Sequence, residues 1–236
     1  MFARSLLCAA LFASPVAAQG MDATYDVSLR GVTGGTIALR GRDQGGGYSI
    51  SSAAQATGVV GSLVKYGYEG RAQGSIRGGR YVSTEYTEIE VDDGERTSAV
   101  TRFNGGTPSG VTFDPPRAAE PHDIDPRAQR GVVDPLTALY AVLQPVDPGR
   151  ACNARYDTFD GRHVARLSIG APTAGADGTL TCQGEYVRLR GYSAKSLARR
   201  PNAQMTFTLT PVAGGRVQVS EIRSRTALGD AVLRRR

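Results

Sequence analysis

Tryptophan is absent from this chain of 236 residues, lysine occurs only at Lys65 and Lys195, histidine only at His122 and His163, and cysteine only at Cys8, Cys152 and Cys182. Each scarcity closes off a class of chemistry. A Ser-His-Asp hydrolase needs a histidine to take the serine proton, and neither histidine accompanies a GxSxG elbow. Ser62-Leu63-Val64-Lys65 matches the SxxK of penicillin-binding serine enzymes, but the companion KTG and SDN motifs are missing. His122 lies near Asp123 and Asp125, a set that lacks the further ligand and rigid frame of a metal site. P-loop, dinucleotide-binding and EF-hand patterns do not occur. No metal, no cofactor and no catalytic residue are therefore expected.

A net charge of +6 and a pI near 9.5 suggest nucleic acid as a partner. The arrangement of the charge argues against it. The arginines are scattered among acids such as Glu85, Glu88, Glu90, Asp92 and Asp93, and no aromatic stacking platform interleaves with a basic run. The densest cluster, Arg234-Arg235-Arg236, reads as a solvated tail. Long apolar runs are also lacking: nothing approaches the roughly 20 residues needed to cross a bilayer as a helix, so the protein is not expected to span a membrane.

The one apolar run of note is at the start, Leu6 through Ala13, preceded by Arg4 and followed by Val16-Ala17-Ala18. That is the build of a secretory signal, with cleavage expected after Ala18. Cys8 has too little apolar sequence before it to be a lipid-attachment cysteine. The chain thus divides into a cleaved signal peptide, 1–18, and a single mostly β domain, 19–236, working in the periplasm. Export leaves Cys152 and Cys182. An even count in an oxidising compartment reads as a disulfide, and CxxC spacing for a redox or metal pair is absent. Such a bond is worth roughly 3–4 kcal/mol in the chain-entropy model.

Alternation of apolar and polar residues dominates the domain. Tyr25, Val27 and Leu29 precede a Gly34-Gly35 turn, and Ile37 and Leu39 follow it. Tyr48 and Ile50 come after Gly45-Gly46-Gly47. Strands are expected over 80–91 and 95–103, joined by Asp93-Gly94, and later around 164–169, 179–189, 205–209 and 217–222. On the strand at 80–91, Tyr86, Glu88 and Glu90 alternate with Thr87, Ile89 and Val91, a half-exposed pattern that puts acids on the solvent side. Two segments depart from alternation. Gly58 to Tyr66 has Val60, Leu63 and Val64 at helical spacing. Asp134 to Gln144 has a good N-cap, proline at the first helical position, and Leu136, Leu139, Tyr140 and Leu143 on one face. Between Pro115 and Val133 runs a long loop rich in proline and charge. The fold expected is mainly β: a curved antiparallel sheet or half-open barrel with one clear α-helix and a second short helical segment.

Three landmarks carry a more specific signal: DPLTALYAV at Asp134 to Val142, Cys152 followed by YDTFDGR at Tyr156 to Arg162, and TCQGEYVRLRGY at Thr181 to Tyr192. Together they resemble the domain-of-unknown-function 3108 family of exported bacterial proteins. The resemblance implies an envelope location, a curved antiparallel sheet with a helix, and a bond between Cys152 and Cys182. It implies no established activity.

Two short apolar helical segments with only one concave sheet face to cover leave a cleft, whose expected lining is Val60, Leu63 and Tyr140. The function expected is binding of a lipid or apolar peptide in that groove. A structural role beside an envelope protein partner is the alternative. Hydrolysis of an envelope polymer by paired carboxylates has no nominated pair.

Overall fold

The computed structural model describes residues 19–236 apart from 64, 200–201 and 227–228. The expected signal peptide, 1–18, and Cys8 within it lie outside the described residues.

Two antiparallel meanders form the body. The first comprises β1 (Gln19–Leu29), β2 (Val32–Gln44), β3 (Gly47–Ala56), β4 (Tyr66–Arg77), β5 (Arg80–Asp92), β6 (Glu95–Asn104) and β7 (Thr107–Asp114), with the short helix α1 (Gly58–Leu63) between β3 and β4. The second comprises β8 (Ala154–Phe159), β9 (Val164–Ile169), the two-residue β10 (Thr173–Ala174), β11 (Leu180–Arg190), β12 (Ala203–Val212), β13 (Arg216–Thr226) and β14 (Gly229–Arg235), with the helix α3 (Ala194–Arg199) before β12. Pairing of β1 with β14 fuses them into one path, β7-β6-β5-β4-β3-β2-β1-β14-β13-β12-β11-β9-β8, with β10 paired to β11 alone.

The two ends of this path nearly meet. Val132 N–H donates to Gly106 O at the β6–β7 turn, while Val133 forms a parallel bridge to Thr158 of β8. The 132–133 segment is thus a splint across the gap, and the sheet is a nearly closed barrel that leaves little edge unpaired.

The chain crosses from β7 to β8 through the barrel interior as α2 (Pro135–Leu143). Asp134 caps it from extended backbone, its carboxylate accepting the Thr137 N–H at 2.8 Å, and Pro135 occupies the first turn, where no N–H is needed. Leu136, Tyr140 and Leu143 recur at helical spacing and are fully or almost fully buried. At the far end Gln218 Nε2 donates to Leu143 O at 3.0 Å, satisfying one of the orphan carbonyls. Around the helix lie Tyr25, Leu39, Ile50, Phe159, Phe207 and Val219, one continuous core.

Glycines on the inner face make room for the aromatic rings. A Cβ on Gly41 would overlap the Tyr140 ring, and one on Gly74 would stand 2.7 Å from Tyr48 Cε1.

Several expectations need correction. The first hairpin turns at Arg30-Gly31, both at positive φ (52° and 79°), while Gly34 and Gly35 lie inside β2. The reason is packing: Gly34 faces Val60 of α1, and a Cβ on Gly35 would stand 2.8 Å from Gln55 O. The Arg234-Arg235-Arg236 segment is no free tail, although the Arg234 and Arg236 side chains are more than half exposed. Arg234 and Arg235 belong to β14, Arg236 N–H donates to Thr24 O, and the three side chains meet Glu221, Gln218 and Asp26 respectively. Acceptors on neighbouring strands hold the segment in the sheet.

Cys152 and Cys182 are bonded, their Cα atoms 6.3 Å apart, tying the segment before β8 to the start of β11. Replacing both by serine is expected to lower the unfolding free energy by about 2–4 kcal/mol in urea titrations of the oxidised protein. Unchanged stability would show the bond to be dispensable. Gly41→Ala is expected to cost about 1–3 kcal/mol by overpacking against Tyr140, read as a lowered midpoint in the same titrations.

Candidate functional site

Alternation along a strand fixes which side chains face the interior. Cross-strand partners Leu39, Ser52 and Gly70 share a face, as do Ile37, Ala54 and Tyr68, and the buried Leu39 marks it as the concave one. Continuing across the sheet, Gly70 pairs with Glu88 and Glu88 with Ala99, while Tyr68 pairs with Glu90 and Glu90 with Thr97. Glu88 and Glu90 therefore face the interior, and Ile89 and Val91 face outward. The outer-face placement expected for these acids is overturned, although Glu90, at the mouth of the interior, remains exposed and Glu88 is only partly so. The pattern reads equally well with either face inward, and it was the neighbouring strands that decided.

The interior is filled on one side of α2 and open on the other. The open part has two lobes. The first is an apolar cavity of about 550 Å³ between the first turns of α2 and the strands β1 to β4. Pro135, Leu136 and Leu139 form the helical wall, Val27, Ile37 and Ala54 the sheet wall, and Val60 of α1 closes one side. Tyr66, Tyr68 and Glu90 stand at its polar margin, with Tyr66 Oη donating to Glu90 Oε1 at 3.4 Å. Glu90 is the sole carboxylate in its lining, and no lysine, arginine or histidine lines it.

The second lobe, about 600 Å³, is polar and shares Glu90 with the first. Three parts of the chain converge on it: Glu88 and Glu90 of β5; Arg117 and Glu120 of the long loop; and the landmark residues Asp160, Arg162 and His163 with Tyr186, Arg188 and Tyr192. The Asp160 turn is self-braced. One carboxylate oxygen accepts the backbone N–H groups of Arg162 and His163 at 2.8 and 2.7 Å, the other meets His163 Nδ1 at 2.9 Å, and the His163 ring stacks on Tyr192 with centroids 4.3 Å apart. Arg117 makes a bidentate pair with Asp123, Arg162 pairs with Glu120, and the Arg188 guanidinium lies 5.7 Å from the ring centres of Tyr186 and Tyr192.

Glu88 is the electrostatically unusual group. Burial pushes its carboxyl from the ordinary 4.5 up to about 7, and the charges of Asp160 and Glu90 push the same way, against the Tyr86 hydroxyl, which donates to Oε2 at 2.6 Å, and His163. Behind it Tyr68 and Tyr86 hydroxyls meet at 2.8 Å.

The residues named from sequence fall in different places. Val60 lines the apolar lobe. Leu63 does not: it is 79% exposed at the end of α1, because the six-residue helix turns that position outward. Tyr140 is also absent from the lining. Its ring is fully buried, edge-on to Tyr81 with centroids 5.7 Å apart, and its hydroxyl donates to Asp43 at 3.0 Å. It is a core residue whose neighbour Leu139, on the flank of the helix, lines the cavity instead. The loop acids near His122 are engaged elsewhere: Asp123 by Arg117 and Asp125 as a cap on Arg127 N–H, with His122 paired to Glu120.

A family model described as "Protein of unknown function (DUF3108)" matches residues 24–231. The chain belongs to this family. No curated protein matches it significantly. Among solved structures, the crystal structure of a beta-barrel-like protein of domain of unknown function DUF1849 from Brucella abortus is similar at 10% identity and a TM-score of 0.46, covering 92% of this chain and 96% of that one. The landmarks YDTFDGR and TCQGEYVRLRGY, which first pointed to DUF3108, both deliver side chains to the polar lobe.

A carboxyl raised in the folded state contributes stability in full below its unfolded pKa and loses it as pH rises through the folded value. For Glu88 that window runs from 4.5 to about 7. Glu88→Gln, which can still accept from Tyr86, is expected to be more stable than the parent at pH 8, by on the order of 1–3 kcal/mol, with the difference shrinking toward pH 4.5. Paired thermal melts across that range check it; parallel curves would mean that Glu88 ionises without penalty.

Proposed function

We propose that this DUF3108 protein is a non-catalytic binding protein of the bacterial cell envelope that holds an apolar or lipid-like molecule in the cavity beside α2. The observation that carries the reading is the apolar lobe itself. Its volume of about 550 Å³ lies within the size range of small-molecule sites, and Val27, Ile37, Ala54, Val60, Leu136 and Leu139 give it a largely apolar lining. The secretory character of the first eighteen residues supports the envelope location.

A second reading, a structural partner in an envelope complex, has one observation in its favour. Leu29 and Val32 flank the first turn at 38% and 59% exposure, and Leu63 projects from α1, which packs on β2. Exposed apolar side chains of this kind suit contact with another protein.

An uncharged apolar fluorophore is expected to bind with micromolar-range affinity. Val60→Trp, which adds bulk inside the lobe, should weaken binding by about tenfold or more, whereas Leu63→Trp, outside it, should not. Fluorescence titration checks both. Equal effects at the two positions, or no binding by the parent protein, would remove the groove from consideration and leave the partner reading.

A further inference from the structure

Resting on the groove reading above, we infer that the ligand is a single-chain amphiphile with a cationic head, its chain in the apolar lobe and its ammonium group between Glu90 and Glu88. The two lobes share Glu90, so a molecule seated beside α2 emerges past that carboxylate into the polar lobe. That lobe presents carboxylates and tyrosine rings together with the three arginines Arg117, Arg162 and Arg188. Glu90 and Glu88 project two residues apart from one face of β5, and Tyr66 and Tyr68 stand beside Glu90 at the cavity margin. Carboxylates together with tyrosine rings are the surroundings that an alkylammonium group favours, through charge attraction and the ring quadrupole.

The charge balance points the same way. Among the described residues neither Glu88 nor Glu90 enters an ion pair. Of the three guanidinium groups in the polar lobe, which would otherwise serve an anionic head, those of Arg117 and Arg162 are taken up by Asp123 and Glu120, and that of Arg188 lies over the Tyr186 and Tyr192 rings. The charges of Asp160 and Glu90 both act against ionisation of Glu88, and that of His163 acts for it. The chain's overall charge of +6 does not oppose this, since charges beyond about 8 Å are screened at physiological salt. A carboxylate head would have to enter beside two like charges.

The test compares three amphiphiles of one chain length, kept below their micelle concentrations: decyltrimethylammonium, decyl maltoside and decanoate. Each is titrated at pH 8 and low salt by displacement of the apolar fluorophore from the full mature protein. The cation is expected to bind about tenfold more tightly than the neutral maltoside, with decanoate weakest. Glu88→Gln combined with Glu90→Gln is expected to bring cation and maltoside within about threefold of each other. Binding of all three without charge preference, or a preference that survives the double substitution, would overturn the inference and leave the groove intact. Failure of every amphiphile and of the fluorophore would overturn the groove and the inference with it.

Discussion

A carboxyl group with no exposed surface sits at the start of the central helix, and the rest of the interior is arranged around it. Asp134 accepts from Thr137 N–H, from Thr137 Oγ1 at 2.6 Å and from Ser83 Oγ at 2.6 Å, while its own N–H donates to Ser83 at 3.0 Å. Tyr48 joins through Thr137 at 2.9 Å. Burial raises the Asp134 carboxyl, and these hydrogen bonds oppose the rise. A buried polar group of this kind is tolerated only when its partners are in place. The partners come from β3, β5 and the helix itself, so helix and sheet position one another. With the N-terminus of α2 fixed there, Tyr140 falls over Gly41 and its hydroxyl reaches Asp43, a second point of attachment on β2.

Two attachments explain why a cavity persists beside the helix. Packing would ordinarily draw α2 toward whichever wall is nearest, because an unfilled apolar space forfeits dispersion contacts. Here the helix cannot shift without breaking the Asp134 network or lifting Tyr140 from its seat. The opposite wall includes small residues beside Val27 and Ile37: Gly34, Gly35, Ala54 and Ala56 line the apolar lobe. Alanine and glycine at those positions cannot reach the helix, so the gap is set by residue choice as much as by the helix.

The parts of this architecture that were legible in the sequence are those fixed by local rules. Asp134 and Pro135 announced the helix start, the leucine and tyrosine spacing announced its buried face, and turn chemistry at Asp93-Gly94 announced a hairpin. The strand Tyr66–Arg77 was not legible, because YGYEGRAQGSIR carries little β-branched pattern; its glycines are explained only by neighbours, as where Tyr48 crowds Gly74. The orientation of Glu88 and Glu90 was illegible for a related reason. Alternation gives two faces without saying which is concave, and charge suggested the wrong one. Val60, named from helical spacing, does line the apolar lobe, where it meets Gly34 of β2. Leu63 and Tyr140 were misplaced because helical spacing tells which residues share a face, not how far the face extends over the cavity or where the core ends.

The acids on the concave face are therefore the departure from pattern that most needs a cause. Apolar residues at positions 88 and 90 would suit the alternation, would join Tyr68 and Ala99 in packing, and would avoid the penalty that raises the Glu88 carboxyl. Half-buried charges serving a structural end are generally paired, as Asp157 is by Arg166 with contacts of 2.6 and 2.7 Å on the strands β8 and β9. Glu88 has instead a tyrosine hydroxyl and two like charges. A group held at such a cost, at the junction of an apolar and a polar space, is the arrangement expected of a site that completes its charge balance only when a ligand arrives.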